Sequence, residues 1–446
     1  TGENGNAFGD RYIIRGQEAR SDVFVDGLRD PGMTLRESFA TEQVEISKGP
    51  NSSFAGRGTS GGAVNSVTKE ATLDYDFSKL STGFGSDKHT RLTLDTNQVL
   101  GNKSAIRANA LFGYEDVPDR APANRERKGL ALSGLFVAND NLDFVLDYYG
   151  MRAEDNPDLG GYLEGNVPDR KPAANVPVYT QEPDFLKSDV DTVTARIKFK
   201  IKPDLRLTNA TRYGVSDNAY VATGARASTT GAANPGGIYN TATLSTHQGW
   251  QEVDYFANQT NLFWDTVLAG KKHEFIASLE YTNHDVLNGV YGVTNSGQNC
   301  ITGSGATLNA WCVSDAAGNP VNGLNTIMNR QITKGAWDQD WLIKTTALSL
   351  MDTVDLTDTI TAFAGVRRDH YDYNLKTLWN HDGDSGAGAT ANVLGDFKAS
   401  DAIVNGHLGL TWKFRPDANV YATYSTASDI NGGESEIGRA SCRERV

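Results

Sequence analysis

The stretch Val193-Thr-Ala-Arg-Ile-Lys-Phe-Lys-Ile201 decides how the rest of the chain is interpreted. Its apolar residues fall at every second position, and the positions between them carry threonine, arginine and lysine. Side chains alternate between the two faces of a β-strand, so this stretch predicts a strand with one apolar face and one charged face. The same alternation recurs around Leu92 and Leu94, from Ile106 to Phe112, and from Leu408 to Phe414.

The connections between these strands alternate strictly between short and long. Short turns lie at residues 101–103, 139–141, 202–204, 269–272, 355–358 and 415–417, and long loops are expected at about 116–127, 153–188, 216–248, 285–337 and 376–400. Outer-membrane barrels have short periplasmic turns and longer extracellular loops, whereas compact soluble domains rarely hold five such loops. The pattern therefore predicts a transmembrane barrel with about thirteen strands of about 11 to 17 residues. Since single-chain bacterial barrels close with even strand numbers, we expect this barrel to be incomplete and unable to close.

Composition narrows the class of protein without deciding it. The 446 residues include 42 basic and 55 acidic ones, and the net charge of −13 argues against a nucleic-acid partner held through its phosphates. Mean hydropathy is −0.44 and the sequence has no long apolar run, so no membrane helix is expected. A membrane barrel can read as hydrophilic on average because its faces alternate, although a soluble all-β protein has a similar composition.

The cysteines and the two ends of the chain lead to separate expectations. Cys300 and Cys312 lie in a polar segment and are expected to form a loop disulfide, which would stabilise the loop by about 3 kcal/mol; unpaired thiols are the alternative. Residues 437–446, with Cys442, lack alternation and turn basic, so we expect a non-native tail rather than a genuine basic one. The chain begins at Thr1 without a methionine, and its N-terminus is expected to be missing or processed.

Four motifs before the barrel carry the strongest signal in the sequence. They are Asp10-Arg-Tyr-Ile-Ile-Arg-Gly16, Asp22-Val-Phe-Val-Asp-Gly-Leu-Arg-Asp30, Val44-Glu-Ile-Ser-Lys-Gly-Pro50 and the glycine-rich residues 51–69. In order and spacing, they resemble the second half of the plug of TonB-dependent receptors. The resemblance implies an all-β transmembrane barrel, 22-stranded in the family, with an N-terminal α+β plug domain of which only the second half is present. We place the plug at 1–72, the incomplete barrel at 73–436 and the tail at 437–446.

Other chemistry is disfavoured by its context. Gly56-x-Gly58-x-x-Gly61 fits a dinucleotide fingerprint, but residues 63–68 after it predict a strand where that motif needs a helix. These glycines instead permit tight bends in a small domain packed in a narrow lumen. The sequence has no zinc-spaced histidine pair and no G-x-S-x-G elbow, and Asp382-Gly-Asp384 lacks the other ligands of a calcium loop. We therefore expect no enzyme activity, no cofactor and no metal held by protein ligands.

Plug–barrel contacts follow from the resemblance, which implies that plug arginines pair with acidic residues on the inner barrel wall. The candidate arginines are Arg15 and Arg57, and the candidate acidic residues are Glu252, Glu274 and Glu280. Arginines buried without partners would be costly. Solvated charges in the lumen are the alternative.

Rings and cations in or beside the long loops are the candidate ligand contacts, together with Arg29 of the plug. Catecholate ligands carrying ferric iron are anionic and aromatic, so stacking rings and fixed cations would suit them. The loop candidates are Arg152, Arg170, Tyr239, Tyr291 and Trp311. For Trp250, Trp264, Trp341 and Trp412 we instead predict an aromatic girdle at the membrane interface.

The resemblance is closest to the siderophore branch of the family and implies a function. We expect a bacterial outer-membrane receptor that imports a ferric siderophore, of catecholate type, when the inner-membrane TonB complex rearranges the plug. Iron would arrive inside its ligand, and the other expected partner is outer-membrane lipid, with the receptor a monomer and no nucleic acid bound. Import of cobalamin, haem or an oligosaccharide is the alternative within the fold, and a passive porin or surface adhesin is the alternative from another class.

Overall fold

β-Strands make up nearly all the regular structure of the computed structural model, which describes residues 13–18, 23–30, 35–49, 52–59, 61–160, 163–164, 168–169, 171–172, 176–229, 239–297, 300, 311–380 and 392–428. Arg170, the Asp382–Asp384 segment and the predicted tail lie outside these residues, as does the side chain of Tyr239. No helix among the described residues is long and apolar enough to cross a membrane.

The N-terminal part folds as a small mixed sheet. A hairpin of β1 (Ile13–Ile14) and β2 (Gln17–Glu18) precedes a four-stranded sheet of β3 (Val23–Val25), β4 (Leu28–Arg29), β5 (Thr41–Lys48) and β6 (Gly62–Thr68), in the order β4-β3-β6-β5. A 3₁₀ turn over Ser38–Ala40 and a short helix α1 over Ser52–Ala55 complete it. β3 runs parallel to β6, and the other pairs are antiparallel. This arrangement confirms the predicted α+β plug.

The glycine motif leads into strand β6, as predicted, and not into a helix. Gly62 has a φ of +138°, and a Cβ there would lie 2.1 Å from the carbonyl oxygen of Ser47 on the paired strand. Only glycine fits such a close backbone approach. The motif therefore serves chain packing within the plug.

The barrel wall is one antiparallel path of thirteen strands, which confirms the predicted number. Its edges in the described residues are β7 (Phe77–Phe84) and β22 (Ala418–Ser425), so the wall is open there. The boundary predicted at residues 72 and 73 stays a prediction, and it falls between β6 and β7. The wall strands are β7 (Phe77–Phe84), β8 (Thr90–Val99), β9 (Ser104–Asp116), β10 (Asn124–Asn139), β11 (Leu142–Asn156), β14 (Phe185–Lys202), β15 (Leu205–Thr229), β16 (Tyr239–Leu268), β17 (Lys271–Asn295), β19 (Arg330–Thr357), β20 (Ile360–Asn380), β21 (Asn392–Arg415) and β22 (Ala418–Ser425).

Three short strands lie in the long connections on the side opposite the short turns. β12 (Leu163–Glu164) pairs with β13 (Lys171–Pro172), and β18 (Trp311–Asp315) pairs with the beginning of β16. A 3₁₀ turn over Leu324–Thr326 follows β18. These segments build a layer of extracellular structure above the wall.

The predicted loop bounds and strand lengths are wrong for the central strands. β15, β16, β17 and β19 have 25, 30, 25 and 28 residues, and pairing between β15 and β16 continues to Thr229 opposite Thr241. Most of the loop expected at 216–248, and nearly half of the loop expected at 285–337, is therefore paired strand. Above the membrane neither face of a strand meets lipid, so the alternation of apolar and polar residues disappears while hydrogen bonding continues.

Residues 193–201 lie in β14, and their apolar and polar side chains face opposite sides of the sheet as predicted. Val193 and Ile201 are 45% and 40% exposed on the outer, lipid-facing side, whereas Thr194 between them is 4% exposed. Polar side chains of the wall thus face the lumen, where the plug lies. The face of the strand on which a residue lies therefore decides whether its side chain can contact the plug.

Candidate functional site at the plug–barrel interface

Arg196, on the lumen face of β14, is the centre of the largest ionic contact between plug and wall. Its guanidinium lies 2.8 Å from a carboxylate oxygen of Glu70 and 3.4 Å from one of Asp26, both on the plug side. It also pairs with Asp147 of the neighbouring wall strand. Arg212 adds a hydrogen bond of 3.1 Å to the carbonyl oxygen of Val25. Plug and wall are therefore joined through arginines of the wall.

Further ion pairs repeat this polarity around the plug. Arg91 of β8 lies 2.9 Å from Glu37, and Arg107 of β9 lies 3.2 Å from Glu42. In one pair the plug supplies the cation and the wall the carboxylate: Lys69, at the end of the plug, lies 3.0 Å from Asp95 of β8. The wall arginines occupy the polar face of alternating strands, so assigning faces from the sequence would have identified them.

The plug arginines named from the sequence have other contacts. Arg57 is buried and donates a 2.7 Å hydrogen bond from Nη1 to the hydroxyl of Thr345 on β19. Arg15 is exposed in the turn between β1 and β2, with its guanidinium beside Gly49 of the plug. Arg57 therefore contacts the wall through the hydroxyl group of Thr345, and Arg15 lies against the plug itself.

The three predicted wall glutamates lie at different heights and are not brought together. Glu280 is bound by Arg367 of β20 at 3.0 Å and by Nε2 of Gln259 at 2.9 Å, both within the wall. Glu252 pairs with Lys334 at 2.6 Å, and Glu274 is exposed near the short turn that precedes β17. The ionic contacts that join plug and wall therefore run mainly from wall arginines to plug carboxylates, opposite to the expected direction.

The segment Ser52–Thr59 of the plug rests on the last strands of the wall. The hydroxyl of Ser53 lies 2.7 Å from Nδ1 of His407, and the backbone N–H of Gly58 donates to the carbonyl oxygen of Ser428 at 2.9 Å. Gly56 has a φ of +88°, and a Cβ there would lie 2.9 Å from the Arg367 guanidinium. The glycine lets the plug backbone approach a wall cation, and sequence reasoning missed Ser53 and His407.

Two apolar contacts complete the interface. Leu28 is 1% exposed and packs against Val253, Tyr255 and Trp341 of the wall. Phe39 lies over Gly129 and stacks on Tyr149 at 5.8 Å between ring centroids. The remaining contacts are largely polar.

Arg36 links the plug to Tyr149 of the wall, the residue on which Phe39 stacks. Its guanidinium lies 4.8 Å from the centre of the Tyr149 ring and 2.5 Å from the Asp30 carboxylate. Burial by itself lowers the pKa of Arg36, but the Asp30 carboxylate outweighs it and holds that pKa above its ordinary value. Arg36 therefore stays charged and stacked on the wall.

Family models decide what this plugged wall is. The model described as TonB dependent receptor-like, beta-barrel matches residues 129–433, and the TonB-dependent Receptor Plug Domain model matches residues 1–63. The chain belongs to the TonB-dependent receptor family. Members are transport receptors of the bacterial outer membrane, and the chain shares that location.

Curated TonB-dependent receptors are similar along nearly the whole chain. A protein from Acinetobacter baumannii described as probable TonB-dependent siderophore receptor PiuA is 28% identical, over 97% of this chain and 57% of its own length. Catecholate siderophore receptor Fiu from Escherichia coli is 27% identical over the same shares. The chain thus spans a little over half the length of the relatives it matches.

Solved TonB-dependent receptors confirm the architecture. The crystal structure of PiuA from Acinetobacter baumannii superimposes with a TM-score of 0.81 at 25% identity, over 97% of this chain and 60% of that one. The closed form of the ferric-catecholate import receptor Fiu from Escherichia coli gives 0.82 at 26% identity, over 97% and 62%. The receptor wall and plug therefore follow those of known siderophore receptors.

The extracellular segments of this TonB-dependent receptor have a core of their own. Tyr179, Trp311, Leu324 and Met328 are each at most 5% exposed and pack together above the wall. Trp311, a predicted ligand contact, has its ring inside this loop core. Cys300 and Cys312 are joined by a disulfide, as predicted.

A fully buried ion pair fixes the loop core to the strands. The side chains of Arg330 and Asp184 are both 0% exposed, and Nη1 of the arginine lies 2.5 Å from a carboxylate oxygen of the aspartate. The guanidinium also donates to the hydroxyls of Thr223 at 2.7 Å and Thr246 at 2.8 Å. With Asp184 held on both sides, the loop before β14 is bound to the beginning of β19.

Two other predicted ligand residues face away from the lumen. Arg152 is flanked in β11 by Met151 and Ala153, which pack against the plug, so its own side chain projects outward, where it pairs with Asp191 at 2.6 Å. Tyr291 lies on the face of β17 opposite the plug-facing Val286 and packs edge-on against Phe185 at 5.4 Å. In this structure both residues belong to the outer surface above the membrane.

Arg29 and two of the four girdle tryptophans, Trp250 and Trp341, are buried. Arg29 is 8% exposed, and its guanidinium donates to the carbonyl oxygen of Arg57 at 2.6 Å inside the plug. Trp264 and Trp412 are 39% and 51% exposed near the short turns, as a girdle requires. Trp341 is 2% exposed beneath Leu28, so its assignment to the girdle is wrong. Trp250 is 4% exposed, covered by Lys334 at 4.3 Å from its ring.

An open cleft of about 1590 Å³ lies among the extracellular segments. It is lined by residues of the turns at 87 and 116–121 and of segments 176–178 and 317–325. Its charged groups are the carboxylates of Asp87, Asp116 and Asp119 and the guanidinium of Arg120, which pairs with Asp158 at 2.5 Å. Since the described residues of this lining hold no aromatic ring, they are poorly suited to an anionic aromatic ligand.

Proposed function

We propose that this receptor imports a ferric siderophore of catecholate type across the outer membrane, through rearrangement of its plug driven by the TonB complex. The proposal is supported by similarity, over 97% of the chain, to proteins named as siderophore and catecholate receptors. Those relatives are longer than this chain, so their ligand and partner come to it as a proposal. Transport of this kind needs no catalytic group in the receptor.

The observation that carries the proposal is the character of the plug–wall contact. Ion pairs such as Arg196–Glu70, Arg91–Glu37 and Arg107–Glu42 dominate it, and their side chains range from 11% to 57% exposed. Partly hydrated charges can exchange their partner for water at a small net cost, whereas a continuous apolar contact could not. A plug held this way can be displaced and return to the same place.

Iron would cross as a complete chelate, so recognition would concern the organic frame of the ligand. Within the described residues, no group of three histidine, cysteine, aspartate or glutamate side chains could hold a metal ion. Arg170 and Tyr239 keep their proposed role as ligand contacts. For Arg29, Arg152, Tyr291 and Trp311 that role would require a rearrangement of the contacts described above.

Iron uptake into cells tests the proposal directly. The full-length receptor is expressed in a strain lacking its own siderophore receptors, and uptake of radioactive iron bound to a tris-catecholate is measured with and without TonB. We expect uptake that depends on both the receptor and TonB. Uptake that persists without TonB would point to a passive pore.

Competition separates the remaining ligands of the fold. Excess cobalamin, haem or oligosaccharide should leave the uptake of ferric catecholate unchanged. If the receptor supports growth on cobalamin or haem but on no ferric siderophore, the proposed ligand is wrong and only the transporter class remains.

A further inference from the structure

Uncharged polar side chains form one continuous row across six neighbouring wall strands. Each member lies directly opposite the next in the strand register, from β14 through β15, β16, β17 and β19 to β20. Directly opposed side chains on one face of a sheet lie within contact distance. We call this set the amide row, and its members are Ser188, Asn218, Gln251, Asn288, Gln339 and Thr377.

The amide row faces the lumen just above the plug. Gln251 lies two residues from Val253, which packs on Leu28 of the plug, and even spacing along a strand keeps both on one face. The register row below the amide row is largely apolar and includes Val253 and Trp341. At one end the row meets the plug itself, where the N–H of Leu35 lies 3.5 Å from the hydroxyl of Ser188.

Hydrogen bonds within the row leave donors and acceptors unused. Ser188 donates to Oδ1 of Asn218 at 2.7 Å, and Nε2 of Gln251 donates to Oδ1 of Asn288 at 2.9 Å. Among the residues that the structure describes, Nδ2 of Asn218 and the Oε1 atoms of Gln251 and Gln339 are buried without a hydrogen-bond partner. Asn218 and Gln251 are only 1% and 2% exposed. Such groups are costly unless a partner binds them, so they mark places where a polar partner is expected.

The charged side chains near the amide row either project from the outer face of the wall or lie lower in the lumen. Lys187, next to Ser188 in β14, projects from the opposite, outer face and approaches Glu154 at 2.9 Å. Lumen-facing Arg196 and Arg212 lie lower and already contact the plug. The described wall from β14 to β20 therefore offers an arriving ligand uncharged hydrogen-bonding groups at the amide row.

We propose that the amide row binds neutral amide and hydroxyl groups in the organic frame of the ferric chelate, and not its charge. This rests on the proposed function and narrows the ligand to chelators whose metal-binding arms are joined through amide bonds. A secondary amide offers one donor and one acceptor, which matches the unused pair at Asn218 and Gln251. A charged chelate without amides would gain nothing from the row.

Two probes of equal charge separate these possibilities. Both are iron(III) tris-catecholates, one with its catechol arms attached through secondary amides and the other through alkyl links. Binding of each is measured on cells carrying the full-length receptor, as wild type, Asn218→Leu or Gln251→Met. The ratio of the two affinities is compared because it does not depend on how much receptor is assembled.

A matched control lies on the same strand as Gln251. Asn258, seven residues nearer the short turn on β16, faces outward and donates to the hydroxyl of Thr211 at 2.7 Å. Asn258→Leu removes the same kind of group from the outer face. It should leave the affinity ratio of the two probes unchanged.

We expect the wild type to prefer the amide-linked probe, and each row variant to bind that probe about fivefold to tenfold more weakly while binding of the alkyl-linked probe is unchanged. The inference is overturned if the row variants keep the wild-type ratio, or if they weaken both probes equally. If the wild type binds neither probe, the proposed function itself fails and the inference falls with it.

Discussion

Two arginine–carboxylate contacts of this receptor, one between plug and wall and one beneath the loop core, differ in burial. Arg196, between plug and wall, keeps 11% of its side chain exposed and shares its charge among carboxylates that include Glu70, itself 31% exposed. Beneath the loop core, the side chain of Arg330 is 0% exposed and so is that of its partner Asp184. A partly hydrated pair can separate into water, whereas separating a fully desolvated pair leaves a charge stranded. The same chemistry thus makes one contact that can open and one that is permanent.

The largest expected effect comes from breaking the permanent contact. Arg330→Met leaves Asp184 buried without its cation, and we expect the packing of the loop core to lose about 3–5 kcal/mol. Hydrogen exchange of residues 176–184 in the purified receptor measures the loss. Protection equal to that of the wild type would show that the pair does not hold the loop.

Lys334→Met is the matched control for Arg330. Lys334 lies in the same strand, four residues further on, and pairs with Glu252 at 2.6 Å with both side chains more than 40% exposed. An exposed pair contributes less than about 1 kcal/mol, so protection of the loop core should barely change. An equal effect of both substitutions would contradict the role of burial.

A smaller effect is expected from removing the arginine at the contact between plug and wall. Arg196→Met removes the cation shared by Asp26, Glu70 and Asp147, and we expect the plug to be held less tightly by about 2–4 kcal/mol. Conductance of the full-length receptor in planar bilayers, recorded at increasing urea, reports when the plug leaves the lumen. The variant should conduct at lower urea than the wild type.

Arg206→Met provides the comparison for Arg196. Arg206 pairs with Asp265 at 3.3 Å near the short turn before β15, where both side chains are about half exposed. The urea dependence of conductance should match that of the wild type. A plug released as easily by this substitution would show that total charge, and not the plug contact, controls release.

The smallest effect concerns the apolar part of the same interface. A Cβ at Gly129 would lie 2.5 Å from the ring of Phe39, so Gly129→Ala should weaken plug packing by about 1–3 kcal/mol through steric overlap. Gly134→Ala on the same strand is the control, because its Cβ would meet nothing closer than 3.8 Å. Equal urea dependence of conductance in both variants would mean that Phe39 moves aside freely.

Alternation along the strands predicted the wall well because it reflects local geometry. Each side chain in a strand points to one face or the other, so Val193 and Thr194 could be assigned from sequence before any contact was known. The number of wall strands and the strand after the glycine motif followed from the same rule. Strand lengths above the membrane did not, because lipid no longer imposes the alternation there.

The site was harder to predict than the wall. Arg57 does contact the wall, but through Thr345, and Glu280 is bound by Arg367 of the wall itself. Partners of a charged residue are chosen by the height and angle at which two elements meet, and neither is encoded within a single segment. Loop composition likewise suggested ligand contacts at Arg152 and Tyr291, whose faces only the strand register reveals.

The sequence by itself determined the receptor family, the order of plug and wall, and which face of each membrane-spanning strand meets lipid, since motifs and period-two patterns are properties of neighbouring residues. Tertiary structure alone decided that wall arginines hold plug carboxylates, that Trp341 lies beneath Leu28, and that Arg330 and Asp184, 146 residues apart, share a sealed pocket. It also aligned six uncharged side chains from six strands into the amide row. Register and packing bring together residues that are distant in the chain, and the free energy of those contacts depends on the burial that only the folded molecule creates.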